Sequence, residues 1–264
     1  MTGRPIGIFD SGVGGLSVLR EIHAGLPDES TLYVADSAHA PWGDKPRTFV
    51  RERGLAIAEF LIELGVKAIV IASNTGTAGA AEALRQHLAV PVVAMEPGIK
   101  PAAAATRSGI VGAIVTSTMS ESERMASLLD RFGRGVRVIN QPVPGLVEHV
   151  EAGDLDSDEL RRLIEGYIRP LLEAGADTIV LGSTHYVFLK PLIAEIAGDG
   201  IALIDTGAAV ARQLGRVMAE RGLLTPTGSK REERFWTSGD PARSAEVMAA
   251  LLGRQVGSVA KLPV

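Results

Sequence analysis

Short apolar runs alternate along the chain with longer segments in which apolar residues recur every three or four positions. The short runs are rich in Val and Ile and predict strands over residues 6–9, 31–35, 68–72, 91–95, 112–116, 136–140, 178–182 and 202–204. The longer segments predict helices over 47–64, 120–132 and 156–174. Capping boxes open two of them, Ser120 with Glu123 and Asp156 with Glu159. This alternation predicts an α/β fold of mainly parallel sheets flanked by helices.

Two pairs of predicted strand ends resemble each other. FDSGVGG from Phe9 is echoed by IDTGAAV from Ile204, and IASNT from Ile71 is echoed by LGSTH from Leu181. Such folds bind ligands at the carboxyl ends of their strands, and the helices that follow favour carboxylates or phosphates. The echoes therefore predict two related halves and a small dianionic ligand rather than a polymer.

Composition narrows the classes of partner. The 27 basic and 31 acidic residues give a net charge of −4 without a long block of either sign, so we expect no nucleic-acid or membrane partner. No secretory signal pattern and no apolar run of about 18 residues occurs, which favours a cytoplasmic protein. The chain has no cysteine, which excludes disulfides and thiolate-bound metals. The segment SKREERF, 229–235, is interpreted as a solvated loop entering a late strand.

The glycine-rich segment DSGVGGLS, residues 10–17, partly matches a dinucleotide-binding fingerprint, with Asp36 as the acid that follows. Ser17 stands where the third glycine belongs, and Asp10 would repel a pyrophosphate. We interpret the glycines as a tight turn that presents Asp10 and Ser11, with nicotinamide binding as the weaker alternative.

One histidine has a setting suited to chemistry. His185 follows Ser183 by two residues in a strand-end turn, where an imidazole can exchange protons near neutral pH. A Ser–His hydrolase is disfavoured, because no G-x-S-x-G elbow occurs and residues this close in sequence rarely adopt the triad geometry. The other four histidines are interpreted as surface or capping residues. No metal-binding motif occurs, so we expect no metal.

Six motifs follow one another along the chain: IGIFDSGVGGLSVLREI, YVADSAHAPWGDKP, SNTGTA, GSTHY, LIDTG and FWTSGDP. In their composition and order they resemble the motifs of the glutamate racemases, which belong to the cofactor-independent aspartate/glutamate racemase superfamily. The resemblance implies interconversion of L- and D-glutamate for peptidoglycan synthesis, without a cofactor. It also implies two pseudo-symmetric α/β domains with the substrate bound between them, usually in a homodimer. We expect one domain over 1–95 plus 209–264 and the other over 96–208.

The resemblance also assigns residues. The family's two catalytic cysteines fall on Ser73 and Ser183, and Asp10, Glu148 and His185 match the groups that assist them. The residues matched to substrate binding are Ser11, Pro41, Trp42, Gly43, Asn74, Thr75, Thr116, Thr118 and Thr184.

Serine at both catalytic positions departs from the family. A thiol of pKa about 8.5 can be tuned toward thiolate, whereas a hydroxyl is a far weaker acid that needs an adjacent base. We therefore expect this chain to bind its amino acid but to racemise it little or not at all. Two explanations stay open: both cysteines were changed to serine by design, or this is a natural cysteine-free homologue that binds amino acids or regulates. Trp42 for the usual tyrosine and Met119 for a common threonine leave aspartate as an alternative substrate.

Overall fold

The computed structural model describes residues 2–121, 123–133 and 135–264, without the side chains of Thr118 and Arg124. The chain forms two compact units, one of Met1–Met95 with Gly207–Val264 and the other of Glu96–Thr206. Each unit is a parallel sheet flanked by helices, which confirms the predicted α/β class.

The first unit contains a six-stranded sheet in the order β10-β9-β2-β1-β3-β4, and every pair of neighbouring strands is parallel. Its strands are β1 (Ile6–Asp10), β2 (Thr31–Ala35), β3 (Ala68–Ile71), β4 (Val92–Ala94), β9 (Glu233–Thr237) and β10 (Val259–Lys261). Its helices are α1 (Leu16–Gly25), α2 (Arg47–Glu63), α3 (Asn74–His87), α10 (Gly207–Glu220) and α11 (Pro241–Leu252).

The central strands of this sheet are mostly apolar, as expected where helices cover both faces, and β1, β2 and β3 are buried along their whole length, including Asp10 and Thr31. Helices α2 and α3 pack so closely that each needs a glycine at the contact. A Cβ at Gly79 would lie 2.5 Å from Cγ1 of Val50, and one at Gly54 would lie 2.7 Å from Cβ of Ala80. This packing holds the beginning of α3 against the sheet edge.

The second unit contains a four-stranded parallel sheet in the order β6-β5-β7-β8. Its strands are β5 (Ile110–Val115), β6 (Arg137–Pro142), β7 (Thr178–Leu181) and β8 (Ala202–Ile204). Its helices are α4 (Ile99–Ala105), α5 (Ser117–Ser120), α6 (Glu123–Phe132), α7 (Leu146–Ala152), α8 (Asp158–Glu173) and α9 (Lys190–Ala197).

The eight listed strand predictions are confirmed to within two residues. A late strand is also present, β9, but it begins at Glu233, so the last three residues of the segment 229–235 belong to the strand rather than to the predicted loop. The short edge strand β10 was missed, because two of its three residues are exposed and the segment carries little apolar signal. Both capping predictions are wrong. Ser120 ends α5 rather than opening the next helix, and α8 is capped by Ser157, whose hydroxyl accepts from the Leu160 N–H at 3.2 Å, rather than by Asp156.

None of the helices in the described part of the chain combines the length and the apolar character needed to cross a membrane.

Candidate functional site

Three loops of the first unit leave neighbouring strands at the same sheet edge. Strand β1 lies between β2 and β3, so the segments that follow them begin side by side. Hydrogen bonds continue past the strands, from the Asp36 N–H to the Asp10 carbonyl at 3.1 Å and from the Ala72 N–H to the Phe9 carbonyl at 2.8 Å. The first cluster comprises Asp10, Ser11, Asp36, Pro41–Gly43 and Ser73–Thr75.

The Asp10 carboxylate organises the glycine-rich turn. One oxygen accepts from the Ser11 N–H at 2.6 Å, and the other accepts from the Gly15 N–H at 2.7 Å. A Cβ at Gly15 would lie 2.8 Å from the Tyr33 hydroxyl and 2.9 Å from Cβ of Ala72, so no larger residue fits. The glycines therefore form a tight turn at Asp10 and Ser11, which is what the sequence interpretation predicted. The N–H groups of this turn bind the buried Asp10 carboxylate rather than a phosphate.

Ser73 is the N-cap of α3. Its backbone is extended, and its hydroxyl accepts from the Gly76 N–H at 3.1 Å. The side chain is 5% exposed, and the neighbouring Asn74 is equally buried. A group at this place lies in the positive end of the helix dipole, which favours an anion. The position suits a thiolate, and here it carries a hydroxyl.

The Pro41–Gly43 loop packs beside this turn. The Ala40–Pro41 peptide bond is cis, and a short 3-10 helix follows over Trp42–Asp44. The Trp42 side chain is fully buried, and its Nε1 donates to Asp36 at 3.0 Å. The loop thus keeps the indole inside the first unit, where the Asp36 carboxylate holds it.

In the second unit, Ser183, Thr184 and His185 follow β7 and are all buried. The Ser183 Oγ lies 3.4 Å from Nδ1 of His185, and His185 Nε2 lies 2.7 Å from Oε1 of Glu151. A carboxylate at Nε2 favours the tautomer with the proton on that nitrogen, so Nδ1 is left to accept from the hydroxyl. The geometry places an imidazole base beside the second serine.

The glutamate on the imidazole is Glu151, which the sequence analysis did not select. Glu148 lies one turn earlier on α7 and is exposed, and it adds to burial in raising the pKa of Tyr167. The segment LVEHVEAG holds two glutamates three residues apart, so both occupy one side of the helix and sequence position could not separate them.

Thr116 lies at the end of β5, the strand next to β7, where it caps α5 by accepting from the Met119 N–H at 3.4 Å. The two strand ends approach closely: a Cβ at Gly182 would lie 2.6 Å from the Ile114 carbonyl oxygen. The Thr118 side chain lies outside the described residues. The second cluster comprises Thr116, Glu151 and Ser183–His185.

The two clusters have a common plan and one chemical difference. Each sets a buried serine at the end of a central strand, with hydroxyl-bearing residues and helix N-termini around it. The Ser73 hydroxyl accepts from a backbone N–H, whereas the Ser183 hydroxyl faces an imidazole. Across the described residues, no three histidines or carboxylates group in a way that could hold a metal ion.

The chain is similar over its whole length to several known proteins. A glutamate racemase of Pseudomonas paraeruginosa is 56% identical over 261 residues, which is 98% of both chains. The structure of glutamate racemase isoform RacE1 from Bacillus anthracis superposes with a TM-score of 0.90 at 29% identity, covering 100% of this chain and 99% of the other. The Escherichia coli glutamate racemase, solved with L-glutamate and the activator UDP-MurNAc-Ala, superposes with a TM-score of 0.87 at 32% identity over 98% of each chain.

The family model for Asp/Glu/hydantoin racemases matches residues 6–214, which include every residue of both clusters. The chain belongs to the Asp/Glu/hydantoin racemase family, a family of cofactor-independent isomerases.

Proposed function

We propose that this chain is built as a glutamate racemase and that, with serine at both proton-transfer positions, it binds glutamate but racemises it little or not at all. With thiols at residues 73 and 183 it would interconvert L- and D-glutamate and supply D-glutamate for peptidoglycan. The observation that carries the proposal is the pair of buried serines at two corresponding strand ends, one of them facing the His185–Glu151 pair.

The reaction requires two groups of opposite role. One base removes the α-proton from one face of the amino acid, and an acid returns a proton to the other face, with the roles exchanged for the other enantiomer. We assign one face to residue 73 and the other to residue 183. At residue 183, His185 would accept a proton while Glu151 stabilises the resulting imidazolium.

The remaining residues of the clusters suit an acidic amino acid. Hydroxyl and amide groups of Ser11, Asn74 and Thr75 in the first cluster, and of Thr116 and Thr184 in the second, can donate to carboxylates. The helix N-termini at these turns add partial positive charge. The names of the relatives and the L-glutamate in the Escherichia coli structure support glutamate as the ligand.

Serine explains the expected loss of turnover. Near neutral pH a thiol of pKa about 8.5 is partly ionised, and more so at a helix N-terminus, whereas a hydroxyl stays protonated without a strong base. Removing the α-proton of an amino acid requires a stronger base than a protonated hydroxyl. The His185 imidazole assists one serine only.

The proposal is tested by binding and turnover together. Calorimetry with L-glutamate, D-glutamate and L-aspartate measures which ligand the unmodified chain binds, and circular dichroism of glutamate follows racemisation by Ser73→Cys plus Ser183→Cys. Ser229→Cys plus Ser108→Cys is the matched control, because it puts one thiol in each unit at a position outside both clusters. We expect glutamate binding by the unmodified chain and racemisation only by the first variant.

Inactivity of the first variant with glutamate bound would instead support a non-enzymatic binding or regulatory protein. Preference for aspartate in both assays would reassign the substrate. We extend the proposal to a cytoplasmic homodimer, as the family resemblance implies, and light scattering would contradict the dimer if it gave the mass of one chain.

A further inference from the structure

The Asp36 carboxylate is a buried acid of the first unit that contacts three side chains. It is 0% exposed. Its Oδ1 accepts from Nη2 of Arg53 at 2.6 Å and lies 2.9 Å from Nδ1 of His39, and its Oδ2 accepts from Nε of Arg53 at 3.1 Å and from Nε1 of Trp42 at 3.0 Å. The two-pronged guanidinium contact fixes the plane of the carboxylate, because Arg presents its donors as a rigid fork.

The fixed carboxylate in turn fixes the Trp42 indole. The indole has a single donor, Nε1–H, and here that donor is directed at Oδ2. Its ring lies 6.4 Å from the Phe9 ring, measured between centroids, at a tilt of 51°. The Nε1–H hydrogen bond and the contact with the Phe9 ring thus fix the position and the rotation of the indole.

The far edge of the indole lies on the first turn of α3. A Cβ at Gly76 would lie 3.3 Å from Cζ3 of Trp42 and 3.0 Å from Cβ of Ser73. Gly76 is also the residue whose N–H donates to the Ser73 hydroxyl. Hydrogen bonds therefore run from Arg53 through Asp36 to Trp42, and the edge of the indole lies beside Gly76, the residue whose N–H donates to the Ser73 hydroxyl.

We infer that Asp36 is a positioning residue, which with Arg53 holds the Trp42 indole against Gly76 and so fixes the N–H that stabilises an anion at residue 73. The inference rests on the proposed function for the role of that anion, but the geometry belongs to the first unit alone. Asp36 touches none of the reacting groups and acts through the tryptophan.

The absence of cysteine makes the test specific. Ser73→Cys introduces the only thiol in the chain, and its rate of alkylation by iodoacetamide against pH gives the thiol pKa without any need for racemase activity. Ser183→Cys is the matched control in the other unit. Trp42→Phe is then added to each, because phenylalanine keeps a ring but has no donor for Asp36.

We expect Trp42→Phe to raise the pKa of the thiol at residue 73 by about half a unit, since a loosened Gly76 N–H stabilises the thiolate less. The thiol at residue 183 should keep its pKa. Arg53→Lys should shift the thiol at residue 73 in the same direction, because an ammonium cannot hold both carboxylate oxygens in plane. Far-UV circular dichroism would show that each variant is folded.

An unchanged pKa at residue 73 in folded Trp42→Phe would overturn the inference, and so would an equal shift of both thiols, which would indicate a general loosening. A shift with Trp42→Phe but none with Arg53→Lys would remove Asp36 and Arg53 from the role. Failure of the proposed function would appear separately, as absent glutamate binding.

Discussion

His23 should make the first unit lose stability in mild acid. It lies in the last turn of α1, where Nε2 lies 3.0 Å from the Thr31 hydroxyl and Nδ1 lies 3.3 Å from Oε1 of Glu233. Burial lowers the pKa of His23 to about 4, against the opposing effect of Glu233 and with the help of the Arg231 and Arg254 charges. At neutral pH the ring is therefore uncharged, and its contact with Glu233 is not an ion pair.

The direction and size of this stability loss follow from the linkage between proton binding and unfolding. The folded pKa is lower than the unfolded value of about 6.5, so the unfolded chain binds more protons between these values and stability falls as pH falls through that window. The full difference, from about 6.5 to about 4, corresponds to roughly 3 kcal/mol, of which about 2 kcal/mol should be lost between pH 7 and pH 5.

Urea unfolding at pH 7 and pH 5, followed by tryptophan fluorescence, measures this loss in the relevant unit, because both tryptophans and His23 lie in the first unit. His23→Gln should lose about 2 kcal/mol less than the unmodified chain over that range. His87→Gln, at a histidine whose side chain is 57% exposed, should match the unmodified chain. Equal losses for the unmodified chain and His23→Gln would refute the reasoning.

Three further outcomes can be measured. Lys67→Met should lower the free energy of unfolding by about 3–5 kcal/mol in urea titrations, because it leaves Glu29, 2.6 Å away and 2% exposed, as a buried charge without its lysine partner. Adding Glu29→Gln should restore part of the loss, and an unchanged free energy of unfolding in Lys67→Met would contradict the role of the pair. Several hydrogen bonds, chiefly that from the Thr106 hydroxyl, lower the pKa of Asp177, so its stabilising contribution is fully present above about pH 4 and fades in stronger acid. Thermal melts should therefore separate Asp177→Asn from the unmodified chain at pH 7, and the gap should narrow between pH 4 and pH 2; a constant gap would contradict this. In the chain with thiols at 73 and 183, Glu151→Gln should reduce kcat by at least about tenfold and more than Glu148→Gln does, because Glu151 is the one of these two glutamates that contacts the imidazole; the reverse order would favour the sequence assignment.

The sequence predicted the strands better than the turns. Runs such as AIVI at 68–71 are buried on both faces, so their composition alone identifies them. Helix starts were less certain, because Asp156 and Ser157 are both good capping residues and the choice depends on which side chain reaches the Leu160 N–H. That choice is settled by the tertiary path of the chain into α8.

The candidate residues show the same division. Asp10, Ser73, Ser183 and His185 lie directly at strand ends, where the order of elements fixes their neighbours. Glu151 comes from a helix, α7. The pattern of apolar positions predicts which side of this helix faces the core, but it cannot distinguish between two glutamates on the same side that lie one turn apart. The links of Asp36 to Arg53 and Trp42 span 17 and 6 residues, and no motif spacing expresses them.

Hydrogen–deuterium exchange at the α-carbon of glutamate in heavy water tests the central claim most directly, because it detects proton removal even where no enantiomer accumulates. L- and D-glutamate are incubated separately with the unmodified chain and with Ser73→Cys plus Ser183→Cys, and the α-proton is followed by NMR. We expect the double variant to exchange the α-proton of both enantiomers. The unmodified chain should exchange at most one enantiomer, slowly, through Ser183 and His185. Comparable exchange of both enantiomers by the unmodified chain would contradict the account.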